Sequence, residues 1–227
     1  MPPQKIKISV IIRAYNSGKF IKEAIDSVLN QTINQNFYEI VVIDDGSTDN
    51  TGGALKPYKN QIRLIKLKHL GNVKALNRGI VEAKGRYLII LDADDLFLPD
   101  ILEKMLSLFK KKKNIDFIYC DYYEKDIKNG RKKKVSLKSN IFNSIAGGIM
   151  FKKKMLEKLG MYNQKLIFPE YDILIKAKKK YKGFYLPQPL FVYRRHKNSI
   201  TANKEKVELG KRQLFSKYGQ IKGLKKY

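Results

Sequence analysis

Cysteine, acidic side chains and long apolar runs are all scarce in these 227 residues. Cys120 is the one cysteine, so no intramolecular disulfide can form. It sits in Asp116-Phe117-Ile118-Tyr119-Cys120-Asp121 and reads as a small core residue on a strand, which fits a reducing compartment. No apolar run approaches the ~18 residues that cross a bilayer. The longest, Ile8 to Ile12, is strand-sized and contains Ser9. Met1 to Lys5 lacks the layout of a secretory signal. A cytoplasmic protein without a transmembrane anchor is therefore expected. GxxxxGK and GxGxxG are absent, which disfavours P-loop and dinucleotide-binding folds. No internal repeat or low-complexity linker breaks the chain.

The shortage of acid leaves 47 Lys and Arg against 21 Asp and Glu, a net charge of +26. Lys110 to Lys113 and Arg131 to Lys134 are uninterrupted basic runs. Such a field favours polyanions: nucleic acid, an anionic membrane face or phosphorylated substrates. General lysine-rich usage explains it equally well. At 43% hydrophobic and 30% charged the chain is globular, with enough apolar residues for one large domain or a core with an appendage.

Against this basic background one acidic concentration stands out. Tyr87-Leu88-Ile89-Ile90-Leu91 is apolar and β-prone, and runs directly into Asp92, Asp94 and Asp95. A buried strand explains the first half. The carboxylates repel one another at its end unless a cation neutralises them, and clustered hard oxygens suit Mg²⁺ or Mn²⁺.

The rest of the N-terminal half alternates between periods of two and 3.6. Strands are predicted at 5–12, 39–43, 62–67 and 87–91. Between them, helices carry Ile21, Ala24, Ile25, Val28 and Leu29, then a short stretch through Leu55, then Val73, Leu76, Ile80 and Ala83. Ser17 is a candidate cap for the first helix, and Ser47 or Thr48 for the second. Gly85 is placed at the C′ position of the third. This βα alternation predicts a mostly parallel sheet, which binds ligands at the carboxyl ends of its strands. Tyr15-Asn16, Asp44-Asp45 and Asp92 to Asp95 all fall at such ends.

After a helix with Ile101, Leu102, Met105 and Phe109 the pattern turns to mixed α+β. Strands are expected at 117–122, 134–137, 146–151 and 189–194, with a hairpin turn at Asn129-Gly130. A short helix holds Met155, Leu156 and Leu159, and another opens at Pro169-Glu170-Tyr171-Asp172. The tail from Thr201 to Tyr227 has eight basic and two acidic residues and is weakly amphipathic. Residues 1–115 are expected to form a nucleotide-binding half and 116–200 an acceptor-binding half of one domain, with 201–227 a basic tail.

Several stretches, in this order and spacing, resemble the family 2 glycosyltransferases of GT-A fold. They are Val10-Ile11-Ile12-Arg13-Ala14-Tyr15-Asn16, Val42-Ile43-Asp44-Asp45-Gly46-Ser47, Asn77-Arg78-Gly79, Leu91-Asp92-Ala93-Asp94-Asp95 and Tyr193-Arg194-Arg195-His196. The resemblance implies a Rossmann-like central sheet and inverting transfer of a sugar from a nucleotide-diphosphate donor, a UDP-sugar favoured, to a carbohydrate or lipid-linked hydroxyl. It implies a divalent metal, Mn²⁺ or Mg²⁺, held by Asp94 or Asp95 with the other reaching the ribose, and with His196 or an arginine late in the site. Ala14, Tyr15, Asn16, Asp44, Asp45, Lys74, Asn77, Asp92 and Ala93 are expected to meet the nucleotide, Asp45 at the base N3–H.

The family's base lies in a Glu-Asp pair opening a C-terminal helix. Here Pro169 replaces that Glu and Glu170 falls at the Asp, so Glu170 is expected to be the base, with Asp172 the fallback. Arg13 is a second departure, standing where many relatives carry Pro or Thr. The basic C-terminal half suggests docking on an anionic membrane face, on the cytoplasmic side. A nucleotidyltransferase and a basic nucleic-acid-binding protein are the alternatives; a dehalogenase-type phosphatase is disfavoured because its acidic triplet belongs on a first strand and not a fourth.

Overall fold

The structure, a computed structural model, describes residues 6–143, 147–197 and 199–221. Its first half is built from β1 (Ile8–Ala14), α1 (Ile21–Leu29), β2 (Tyr38–Asp44), α2 (Thr51–Leu55), β3 (Arg63–Lys66), α3 (Asn72–Glu82) and β4 (Tyr87–Asp92). A two-residue β5 (Leu96–Phe97) and α4 (Ile101–Lys111) follow. The second half comprises β6 (Phe117–Asp126), β7 (Lys132–Val135), β8 (Ile149–Lys152), α5 (Lys153–Lys158), α6 (Pro169–Lys180), β9 (Gly183–Arg195) and α7 (Lys204–Tyr218).

The nine strands among the described residues join one sheet in the order β3-β2-β1-β4-β8-β6-β9-β5, with β7 paired to β6. The β3 to β4 portion is parallel, and β8 inserts antiparallel between β4 and β6. β5 follows β4 after three residues yet pairs with β9 at the far end of that order. The sheet therefore curls, and its last strand returns to the end of β4.

Side-chain alternation along the strands splits the core into two layers. Val10, Ile12, Val42, Ile89 and Leu91 pack with Ile21, Ile25 and Val28 of α1 and with Leu102 and Met105 of α4. Ile11, Val41, Ile43, Leu88 and Ile90 face the other way, onto Leu76 and Ile80 of α3 and the helices of the second half. Strands buried on both faces are continuous aliphatic runs, and that is why β1, β2 and β4 are legible in the sequence.

The caps differ from expectation. Helix α1 begins only at Ile21, after a turn in which the Ser17 carbonyl accepts from the Phe20 and Ile21 amides; the Ser17 hydroxyl donates to the Tyr15 carbonyl instead of capping. The Ser47 hydroxyl accepts from the Asn16 amide, and α2 starts four residues later with Thr51 on the Asp49 carboxylate. Helix α3 ends at Glu82 with Ala83 as its C-cap, so Gly85 is not its C′ residue. Gly85 is needed for another reason: a Cβ there would lie 2.5 Å from the Ser9 amide nitrogen, where the chain crosses β1. Gly85→Ala is expected to destabilise the fold by on the order of 2 kcal/mol, read as a lower urea midpoint at unchanged slope.

Gly130 takes φ +71° in the expected β6–β7 turn. The strand expected at 146–151 is β8, at Ile149–Lys152; its first expected residue, Ala146, lies outside the described residues, as do residues 1–5 and 222–227. Most of the remaining tail is the 15-residue α7, which buries Val207, Gly210 and Leu214. The absence of a side chain at Gly210 lets α7 lie against Phe168, whose ring a Cβ would meet at 2.4 Å.

Candidate active site

Neighbouring strand ends create the first contact of the site. Arg13 on β1 and Asp92 on β4 are register partners in the parallel pair. Arg13 Nη2 donates to Asp92 Oδ2 at 2.9 Å, and Nε donates to the other oxygen. The fork geometry of the guanidinium makes this a bidentate pair. Burial alone would favour neutral Arg13, but Asp92, with Glu170 and Asp94 nearby, overrides it and holds the guanidinium charged.

The chain then turns sharply through Asp94 and Asp95. One oxygen from each of Asp92, Asp94 and Asp95 lies within 4.8 Å of the others. Asp94 Oδ2 is 2.8 Å from His196 Nε2, and the imidazole stacks on Phe20 at 5.1 Å. Asp95 is buried, and its Oδ1 accepts from the Arg194 amide at 2.8 Å. The Arg194 side chain donates to the Asp94 carbonyl and, at 2.6 Å, to Glu23. Burial, then repulsion from neighbouring carboxylates, raises the pKa of both Asp94 and Asp95. Converging hard oxygens whose ionisation is resisted by one another are the donor set a divalent cation fits. Asp92 is already neutralised by Arg13, so the unmatched charge rests on Asp94 and Asp95.

The β2 end supplies a second wall. Asp45 Oδ1 accepts from the Leu70 amide at 2.7 Å and Oδ2 from the Gly71 amide at 2.9 Å. The buried carboxylate thus anchors the entry to α3 and still has lone pairs for a donor in the cavity. Tyr15 stacks on His69 with ring centroids 4.3 Å apart, and both line the cavity. Tyr15 is 47% exposed, leaving a ring face open.

The third wall is the start of α6. Pro169 takes the first turn, where its missing N–H costs nothing. Glu170 follows it into the same cavity. Burial lifts its carboxyl to about 7, although its own backbone amide and Arg13 favour the ionised form. Tyr193, Ser199, Ile200 and Thr201 close the remaining side, with Tyr193 and Thr201 hydroxyls 2.7 Å apart. The cavity holds about 380 Å³.

Ala14, Tyr15, Asp45, Asp92, Ala93, Asp94 and Glu170 are thus brought together as expected. Asp95 and His196 stand behind, bracing the turn. Asn16 and Asp44 do not line the cavity: the Asn16 side-chain carbonyl accepts from the Thr48 amide at 2.8 Å, and Asp44 accepts from the Ser47 amide at 3.0 Å. Asn77 is buried in a reciprocal pair with the Tyr162 backbone, while Lys74 is exposed and lies outside the cavity wall. Asp172 is not brought to the cavity. It binds Lys176 at 2.7 Å, Lys217 at 2.6 Å and the Tyr218 hydroxyl, joining α6 to α7. The structural reason is helical phase, since positions two apart point to different faces of α6. His69, Asn72, Ala75, Ser199, Ile200 and Thr201 were not legible as site residues, whereas Tyr193 fell within the Tyr193-Arg194-Arg195-His196 stretch. Only the aromatic His69 beside a Gly-Asn helix start offered a signal.

Residues 9–199 match the family model for Glycosyl transferase family 2. The chain belongs to the family 2 glycosyltransferases. It is 36% identical over 127 residues to the glycosyltransferase GlyG of Streptococcus pneumoniae, covering 54% of this chain and 41% of that protein. Among solved structures, TarS 1-349 of Staphylococcus aureus in complex with UDP-GlcNAc superposes with a TM-score of 0.73 at 20% identity, covering 92% of this chain and 67% of that one. The mannosyltransferase PcManGT of Pyrobaculum calidifontis, in complex with GDP-Man and Mn²⁺, gives 0.75 at 20% identity, covering 94% and 64%. These likenesses establish the GT-A fold. The chain spans about half the length of the curated relatives it matches. The nucleotidyltransferase and nucleic-acid-binding alternatives find no support here. No helix among the described residues is long and apolar enough to cross a membrane.

Proposed function

We propose that this chain transfers a sugar from a nucleotide-diphosphate donor to a hydroxyl acceptor with inversion at the anomeric carbon. The observation that carries it is one cavity bounded by an acidic turn, an open tyrosine face and, at the start of α6, the Glu170 carboxyl, whose pKa is raised to about 7. Tyr15 and Asp45 receive the base, the ring by stacking and the carboxylate by accepting its N–H. Asp94, with Asp95 behind it, holds a divalent cation, while Asp92 stays with Arg13. When bound there, that cation stabilises the charge developing on the departing diphosphate. Glu170, as carboxylate, accepts the proton of the acceptor hydroxyl. The freed oxygen forms its bond to the anomeric carbon as the carbon–oxygen bond to the diphosphate breaks. Arg13 keeps its positive charge between Asp92 and Glu170, which limits their mutual repulsion.

A UDP-sugar is the favoured donor, with a GDP-sugar next, in keeping with the ligands of the two solved neighbours. The acceptor is a carbohydrate or lipid-linked chain of a polysaccharide or glycolipid. The halves 1–115 and 116–200 divide donor and acceptor binding. The net charge of +26, and Leu209 and Phe215 exposed on α7, support docking to the cytoplasmic face of an anionic membrane. The direct test is thermal melting with UDP or GDP, with and without Mn²⁺. A metal-dependent rise in melting temperature is expected, and its loss in Asp94→Ala. No rise with either nucleotide sinks the proposal.

A further inference from the structure

The cavity just described is walled by Asp45, Asp92, Asp94 and Glu170 against one guanidinium. A second cavity, of about 690 Å³, has the opposite character. It lies between the start of β6, the start of β9, the 137–141 segment and the end of α6. Lys138, Lys178 and Lys182 line it, and no aspartate or glutamate does. Glu170 opens α6 and Lys178 lies in its last turn, so the two sites are separated by roughly 12 Å of helix.

Lysines at a helix C-terminus commonly offset its dipole. That does not account for this group. Lys179 and Lys180 occupy the same last turn without lining the cavity, and Lys138 and Lys182 are not on the helix. Among the described residues, none of the three ammonium groups is paired with a carboxylate. Asp116, beside Phe117 in the chain, is taken by Lys152 Nζ at 3.0 Å and by the Lys182 backbone amide at 3.0 Å. Lys178 Nζ sits 5.1 Å above the Phe142 ring, which holds it at the rim.

Three aromatic side chains share the wall with the lysines. Phe117 and Tyr119 stack at 6.1 Å, and Tyr181 stands beside them in the lining. A Cβ at Gly183 would lie 2.4 Å from the Phe117 ring, so β9 enters this wall without a side chain. Three lysines in the lining of one cavity exceed what a single carboxylate neutralises. They suit a phosphate, which carries up to about two charges and binds lysine as a point charge.

We propose that this cavity is a second binding site, for a phosphate ester, in which Lys138, Lys178 and Lys182 meet the phosphate and Phe117, Tyr119 and Tyr181 pack against its organic part. It stands apart from the donor site and does not require that transfer be correct.

The test uses the whole chain, isotope-labelled and free of divalent metal, titrated with glycerol 3-phosphate and followed by amide chemical shifts. A parallel arm sediments the protein with phosphatidylglycerol or phosphatidylcholine vesicles. Saturable shifts at Ser139, Lys182 and Gly183 are expected. The triple variant Lys138→Ala/Lys178→Ala/Lys182→Ala weakens them at least ~10-fold, the scale of one or two lost charge-assisted hydrogen bonds. All three lysines are exposed, so its melting temperature is expected to stay put. Lys182→Glu, a single reversal, repeats the loss if the triple variant melts early. Binding to phosphatidylglycerol alone, lost in the variants, makes the ligand a lipid headgroup; binding of the soluble ester makes it a free phosphate ester. Silence in both arms overturns the site. So do shifts confined to Tyr15, Asp45 and Asp94, or binding that the variants retain.

Discussion

Glu170→Gln is expected to lower the transfer rate about 1,000-fold while leaving the affinity for nucleotide and Mn²⁺ within a few fold. Glutamine keeps the shape of the side chain and removes only the ability to take a proton. The donor contacts proposed for Tyr15, Asp45 and Asp94 do not involve it. The loss therefore falls on kcat and spares donor binding. Wild-type activity is expected to climb as pH rises through about 7, because burial keeps the Glu170 carboxyl protonated below that point. The Gln variant lacks that limb. The same shift has a stability consequence of opposite sense. A carboxyl whose pKa is raised on folding adds stability below its unfolded value, and that contribution fades as pH rises through the folded one. Relative to wild type, Glu170→Gln thus melts higher at pH 8 than at pH 5. Unaltered turnover in the variant would remove Glu170 from the chemistry.

Asp172→Asn should do the reverse, costing about 3 kcal/mol of folding stability and little intrinsic chemistry. Its carboxylate is inaccessible to solvent and holds two lysines and a tyrosine hydroxyl. Lys176 and Lys217 are about a third exposed, so they return to water when released, which keeps the cost near the low end for a buried pair. Burial pushes the Asp172 pKa up, but the hydrogen bonds from Lys176, Lys217 and Tyr218 outweigh it and hold the group below the ordinary value. Its stabilising contribution is present above the unfolded pKa and is lost as pH falls through the folded one. Chemical denaturation at pH 7 and pH 3 checks this: the gap between wild type and Asp172→Asn narrows in acid. If the variant instead unfolds like wild type at both and has lost its turnover, Asp172 belongs to the reaction.

These opposite fates separate two carboxylates that the sequence ranks only by alignment to the family's base, with Glu170 first and Asp172 as fallback. Both sit in the first turn of one helix, and only the packing of α7 reveals which faces the cavity. The parallel half of the sheet was legible because its strands are uninterrupted aliphatic runs. The acidic turn was legible because nothing in folding favours three carboxylates there. β9 was legible only from Pro189 onward. Its earlier part carries Pro187, and its pairing with β6 shifts register on either side of Asp121, so the period-two signal fades. The cap assignments failed where Ser17 and Ser47 had a nearer partner in the adjoining loop. Asn16, Asp44 and Asn77 carry the family's residue types, yet here they tie loops together. Spacing along the chain does not distinguish a side chain that meets a ligand from one that steadies its neighbour.

The curl of the sheet also sets an order of assembly. β4 and β5 are consecutive in the chain, yet the path between them through the sheet runs by way of β8, β6 and β9. Asp95 is fixed by the Arg194 amide, 99 residues later. A chain emerging from the ribosome can pair β1 to β4 early, because those contacts are comparatively local. It cannot close the acidic turn until β9 has been synthesised and has paired. The half proposed to receive the nucleotide is therefore incomplete until β9 arrives, and the proposed cation site forms late in folding, with closure of the whole sheet.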